Sequence, residues 1–225
     1  GGLNDGYQGT KPLPFNEAGG DRAIYMGGQT PTVLNTISFS TISSTGNVND
    51  FGDLIVATRA GGMMSSKTRG MMSGGLAPGV TAVINYVTIS TLGNAADFGD
   101  ITEAKQVLTG ASNNTRGLSA GGRKSSNYDT DVIDYVTIST LGNAADFGNL
   151  TVARYTAAGT SSSTRGIASG GFDPDYSDVI DYITITTTGN STDFGNLTVA
   201  RGLTNGSTSN NTRGINAGGY ISPGD

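Results

Sequence analysis

The sequence contains no histidine and no cysteine. The commonest general base, the usual imidazole and thiolate metal ligands and the best nucleophile are therefore all missing. What remains is acid–base work by carboxylates and anion binding by arginine. Asp50 with Asp53 and Asp97 with Asp100 are the closest carboxylate pairs and could form an acid pair of the glycosidase type. Their second members become Asn149 and Asn196 further along, so two of the four copies lack the second acid. Serine is plentiful, yet no Gly-x-Ser-x-Gly elbow joins a strand to a helix. Catalytic residues, metal ligands and cofactors are accordingly expected to be none.

These residues recur because the chain itself recurs. Phe51, Phe98, Phe147 and Phe194 each stand in Asp-Phe-Gly, at intervals of 47, 49 and 47 residues. Arg69, Arg116, Arg165 and Arg213 each stand in Thr-Arg-Gly, at intervals of 47, 49 and 48. A glycine pair follows each arginine at Gly74, Gly121, Gly170 and Gly218, and a degenerate copy opens the chain at Arg22 and Gly27-Gly28. Asp-Phe-Gly also occurs in kinases as a magnesium motif, but a catalytic loop is needed once and this tripeptide occurs four times. We read Asp50-Phe51, Asp97-Phe98, Asp146-Phe147 and Asp193-Phe194 as structural, with Asp bonding backbone amides and Phe packing between repeats. Calcium at these oxygen-rich segments is the lesser reading, and the spacing does not fit an EF-hand loop. The arginines could bind an anionic ligand such as a sugar acid. We favour a repeated clip to the neighbouring copy, through Asp or exposed carbonyls, because exact repetition suits scaffold duties.

A period near 48 residues belongs to solenoids, propellers or arrays. The hydrophobic pattern selects strands. Val83 to Ile89, Val132 to Ile138 and Val179 to Ile185 are β-branched and aromatic, and each is followed by a Gly-Asn turn signal. A further strand follows from Phe147 to Arg154, then a small-residue strand at Ala157 to Ser161 and another at Arg165 to Ser169. Four antiparallel strands per repeat predict an all-β fold, a β-propeller of four-stranded blades with the small residues innermost. Blades are expected at 12–57, 60–104, 107–153 and 156–200. A closing blade would combine 203–225 with 1–10, giving one domain over 1–225 with five blades. Part of a larger propeller is the alternative.

The order of Arg154, Ala157 to Ser161, Gly170-Gly171, Tyr182 and Phe194 resembles a Kelch repeat, over nearly the whole chain. Phe stands where Kelch repeats usually carry Trp, and the sequence has no Trp. The string GNxxDFG(D/N)L followed by TRGxxxGG is more similar to a Kelch-like repeat of marine bacteriophage structural and tail-fibre-like proteins. That resemblance implies a non-enzymatic virion component or adhesin, located on an extracellular particle. Its partners would be other virion proteins or a host-surface glycan or protein, with homo-oligomers within the virion. A general Kelch-like interaction scaffold in the cytoplasm is the alternative.

Function is expected where the copies differ. After each glycine pair the sequence diverges, and Arg123, Lys124, Tyr128, Phe172, Asp173, Asp175 and Tyr176 form the candidate binding surface. The net charge of −5, with 14% charged residues, argues against a phosphate-backbone partner. No apolar run approaches the roughly twenty residues of a spanning helix, so membrane insertion is not expected.

Overall fold

The computed structural model describes residues 21–202 and 206–221. The expected first strand of the opening repeat, the strand donation by residues 1–10 and the tail at 222–225 lie outside the described residues. Within them the chain is all-β and contains no helix. Sheet I comprises Arg22–Met26, Thr36–Thr41 and Asn49–Asp53. Sheet II comprises Gly62–Ser65, Arg69–Ala77, Gly79–Thr88 and Ala96–Asp100. Sheet III comprises Thr109–Ser112, Arg116–Ala120, Val132–Thr137 and Ala145–Asn149. Sheet IV comprises Ala158–Ser161, Arg165–Ser169, Val179–Thr184 and Thr192–Asn196. Sheet V shows two strands, Gly206–Ser209 and Gly214–Ala217. Within every sheet the strands pair in chain order, and all pairings are antiparallel.

The sheets pack on one another, and the first two strands of sheets II and III are buried along nearly their whole length, while the fourth strands stay largely exposed. One cluster joins Ile24, Ile37 and Phe51 of sheet I to Met72 and Val87 of sheet II, together with Ile89. A second joins Met71, Ile84 and Phe98 to Val136 and the adjoining Ile138, and a third joins Leu118, Ile133 and Phe147 to Ala168, Ile183 and Ile185. Burial of such side chains stabilises by about 1.5–3 kcal/mol each. The first strands stack through a serine ladder. Ser65 N donates to Ser112 Oγ at 3.1 Å, Ser112 N to Ser161 Oγ at 3.1 Å, and Ser161 N to Ser209 Oγ at 3.3 Å. This approach requires small residues: a Cβ on Gly110 would lie 1.9 Å from the Met63 carbonyl oxygen.

The fourth strand is shorter than the sequence suggests. Residues 147–154 read as a continuous strand, but pairing ends at Asn149. The chain then leaves the sheet, and Thr151 Oγ1 donates to Asp181 of sheet IV at 2.6 Å. The Thr151 hydroxyl is thus held by the aspartate of the next sheet, while the Leu150 amide donates to Asp131 O at 2.7 Å. Asp-Phe-Gly sits inside the fourth strand at a bulge. Ile133 pairs with Gly148 and Asp134 with Asp146, leaving Phe147 as the extra residue and turning it into the junction.

Candidate functional site

The repeated residues of the first three sheets are engaged between sheets, whereas Phe194 of the last copy is 57% exposed. Arg22, Arg69 and Arg116 each donate to a carbonyl associated with the following sheet: Ile89 O at 2.8 Å, Ile138 O at 2.5 Å and Ile185 O at 3.0 Å. Each guanidinium also lies over an aromatic ring of its own sheet, Phe39, Tyr86 or Tyr135, 4.8–4.9 Å from the centroid. The clip therefore runs to carbonyls, and among the described residues no ion pair joins these three arginines to an aspartate of the neighbouring copy. Arg165 keeps its place over Tyr182 at 4.5 Å. Asp97 Oδ1 and Asp193 Oδ1 accept from the amides of Gly99 and Gly195, at 3.0 Å in both cases, which secures the bulge.

A second set of junction residues went unrecognised in the sequence. Lys105 and Asp134 form an ion pair of 2.7 Å with side chains 0% and 1% exposed, and Arg154 pairs with Asp181 at 2.7 Å with equal burial. Lys105 Nζ also donates to Val132 O at 3.0 Å. Burial pushes the Lys105 ammonium below its ordinary value, opposed chiefly by the Asp134 charge. At the corresponding place between sheets I and II stand neutral residues, Thr58 and Asn85, with Asn85 Oδ1 accepting from Ile55 N at 3.3 Å. The signal was a lone acid inside a β-branched run, Val-Ile-Asp-Tyr, whose alternation suggests a solvent-facing position until another sheet covers it.

The variable segments assemble a surface band. After Gly121-Gly122 the chain makes a two-residue ribbon, Arg123–Lys124 against Lys105–Gln106. It then turns through Asn127, whose φ of 59° fits the left-handed conformation that asparagine tolerates. Lys124 N donates to Tyr128 O at 2.9 Å, which closes the turn. Arg123 holds Asp129 through two bonds, Nε to Oδ1 at 2.7 Å and a second guanidinium nitrogen to Oδ2 at 3.3 Å. That bonding raises the Arg123 pKa further above its ordinary value. Its guanidinium lies 3.7 Å from the centroid of Tyr155. Tyr155 meets Phe172 edge-on at 5.6 Å, and Phe172 meets Tyr176 at 5.1 Å.

Three of the predicted residues, Arg123, Phe172 and Tyr176, therefore lie in one continuous half-buried band, linked by Tyr155, which the sequence reading missed. Tyr155 directly follows the landmark Arg154, and nothing in its own sequence context sets it apart. Tyr128 stands at the turn, 72% exposed. Lys124 pairs with Glu103 at 2.5 Å on the surface. Asp173 and Asp175 are exposed, with Asp173 N donating to Asp175 O at 3.0 Å. An amphipathic aromatic row with an arginine at one end and acids on an adjoining turn suits polar ligands that also offer an apolar face.

Gly117-Leu118-Ser119-Ala120-Gly121 matches the letters of a nucleophile elbow, but it forms the second strand of sheet III and its continuation. Ser119 is buried there, its hydroxyl 2.5 Å from that of Ser73. Among the described residues no three acidic side chains converge as a metal site. No described helix is long and apolar enough to cross a membrane. No protein-family model matches the chain, and no curated protein matches it.

Proposed function

We propose that this protein is a non-enzymatic recognition scaffold: a propeller of repeated blades that presents the Arg123–Tyr155–Phe172–Tyr176 band to a glycan on a surface. The observation that carries the reading is a division of labour. Repeated side chains are consumed in junctions between sheets, whereas the divergent connections gather aromatic and charged groups at the surface. Its biological setting, by resemblance of the repeat string, is a bacteriophage particle, with this domain in a tail fibre or surface protein. Many copies on one particle would convert weak individual contacts into avidity.

Aromatic faces stack on the apolar side of a sugar ring while Asp173 and Asp175 accept from its hydroxyls. Glycan-array binding of the intact chain, displayed multivalently, tests this. Tyr176→Ala and Phe172→Ala should abolish the signal while the fold, followed by far-UV circular dichroism, is retained. Binding that survives both substitutions, or an array with no hit alongside capture of a protein partner, would refute the glycan reading and favour an adaptor.

A further inference from the structure

The aromatic band contains a single ionised side chain, Arg123. The residue after each glycine pair is Gln29, Leu76, Arg123, Phe172 or Tyr220, so only sheet III places a charge there. These positions are tied to the connections that enter their own sheets: Arg59 bridges Leu76, Gln106 pairs with Arg123 and Tyr155 bridges Phe172. An arginine here reads at first as an anchor for an anionic sugar, because its planar fork fits a carboxylate or sulfate. The geometry denies it that role. Asp129 already fills the fork, accepting from Nε at 2.7 Å and from Nη2 at 3.3 Å. The aspartate side chain is 6% exposed, and the guanidinium carbon lies 3.7 Å from the centre of the Tyr155 ring, which screens it from one side.

The charges around this pair oppose an anion as well. Lys124 is held by Glu103 at 2.5 Å. Asp173 and Asp175 are exposed on the adjoining turn, and among the described residues neither joins an ion pair. Asp173 is close enough to act on the Arg123 charge. A ligand carboxylate would have to displace one tethered in the same loop, which competes at a high effective concentration. It would also have to do so beside two unpaired acids. The loop, moreover, does not need the Asp129 side chain for its path. Lys124 N donates to Tyr128 O at 2.9 Å, Asn127 N to Lys124 O at 3.0 Å and Thr130 N to Gly122 O at 3.0 Å, so backbone bonds close it.

Resting on the reading of the band as a glycan site, we infer that Asp129 is its specificity-determining residue: it neutralises Arg123 and holds it over Tyr155, so that the band takes uncharged sugars and turns away uronic, sialic and sulfated ones. Arg123 is then a positioning residue that extends the aromatic row, and its charge is spent inside the protein. Asp173 and Asp175 remain free to accept from sugar hydroxyls, which an uncharged sugar supplies without a repelling group. Without the Asp129 charge the same guanidinium would face solvent with its fork open, and the preference would reverse towards acidic glycans.

An array carrying neutral hexose and N-acetylhexosamine oligomers beside uronate-containing, sialylated and sulfated ones tests this with the intact chain, displayed multivalently. The parent should prefer neutral members over acidic ones by about tenfold or more. Asp129→Asn, nearly equal in volume, should gain acidic glycans by about tenfold or more, and the gain should shrink as salt is raised. Asp129→Glu keeps the negative charge and should show no gain, and neither should Asp129→Asn combined with Arg123→Gln. Thermal midpoints and circular dichroism establish that each variant is folded; if Asp129→Asn is not, Asp129→Ser removes the same charge with a smaller side chain. A parent that prefers acidic glycans, or neutral binding with no gain on loss of the Asp129 charge, would overturn the inference and leave the glycan reading standing. A parent that binds no glycan at all would refute that reading and this inference with it.

Discussion

Replacing Asp134 by asparagine should expose how much the junction between sheets II and III depends on one ion pair. Lys105 and Asp134 have essentially no exposed side-chain surface, so solvent cannot compensate an ammonium left with Val132 O alone. Removing one partner of such a pair costs about 3–5 kcal/mol, whereas replacing both with groups of similar volume is often neutral. For a domain of ordinary stability, about 5–15 kcal/mol, the single change is severe. The double variant Lys105→Met with Asp134→Asn should return to within about 1.5 kcal/mol of the parent. It keeps the acceptor for the Thr102 amide and hydroxyl, and the first junction already works with neutral Thr58 and Asn85.

The cost should also depend on pH in a definite direction. In Asp134→Asn the charge that opposes desolvation of Lys105 is gone, so its folded pKa falls further below the ordinary 10.5. Between those two values the unfolded chain binds more protons, and stability rises with pH by up to about 1.4 kcal/mol per unit. Asp134→Asn should therefore recover relative to the parent as pH is raised from neutrality towards 10.5, and the double variant should show no such recovery. Urea unfolding followed by circular dichroism gives all four corners of the cycle. A coupling energy below about 0.5 kcal/mol, or a single variant that does not regain stability at high pH, would refute the argument.

Phe147→Ala should cost about 3–5 kcal/mol because it empties a covered junction, and Phe194→Ala less than about 1 kcal/mol because its ring is mostly in solvent; paired urea curves decide. Equal losses would mean that the last sheet is covered after all. Gly110→Ala should cost at least about 3 kcal/mol or prevent folding, since its Cβ would collide with the Met63 carbonyl. Gly79→Ala, with nothing within 4 Å, should be close to neutral.

The repeat beat and the β-branched runs made the strands and the Gly-Asn turns legible, because both depend on local residue type and period. Junction chemistry was harder to see. Lys105 and Asp134 are 29 positions apart, and Arg154 and Asp181 are 27 apart, so their meeting follows from how one sheet stacks on the next. The same stacking ends the fourth strand at Asn149 and drives Phe147 into a bulge, neither of which propensity encodes. In the variable band, Arg123, Phe172 and Tyr176 stood out by divergence. Tyr155 did not, because it sits next to the repeated landmark Arg154 and joins the band through ring contacts and a backbone bridge to Phe172, both made between connections far apart in sequence.

The stacking of first strands underlies the junctions and the placement of the variable band. Nuclear Overhauser contacts on the isotopically labelled chain test it directly. Cross-peaks are expected from the Ser65 amide to the Ser112 side chain, from Ser112 to Ser161 and from Ser161 to Ser209. Their absence, with contacts inside each sheet intact, would mean that the sheets do not stack through their small-residue strands.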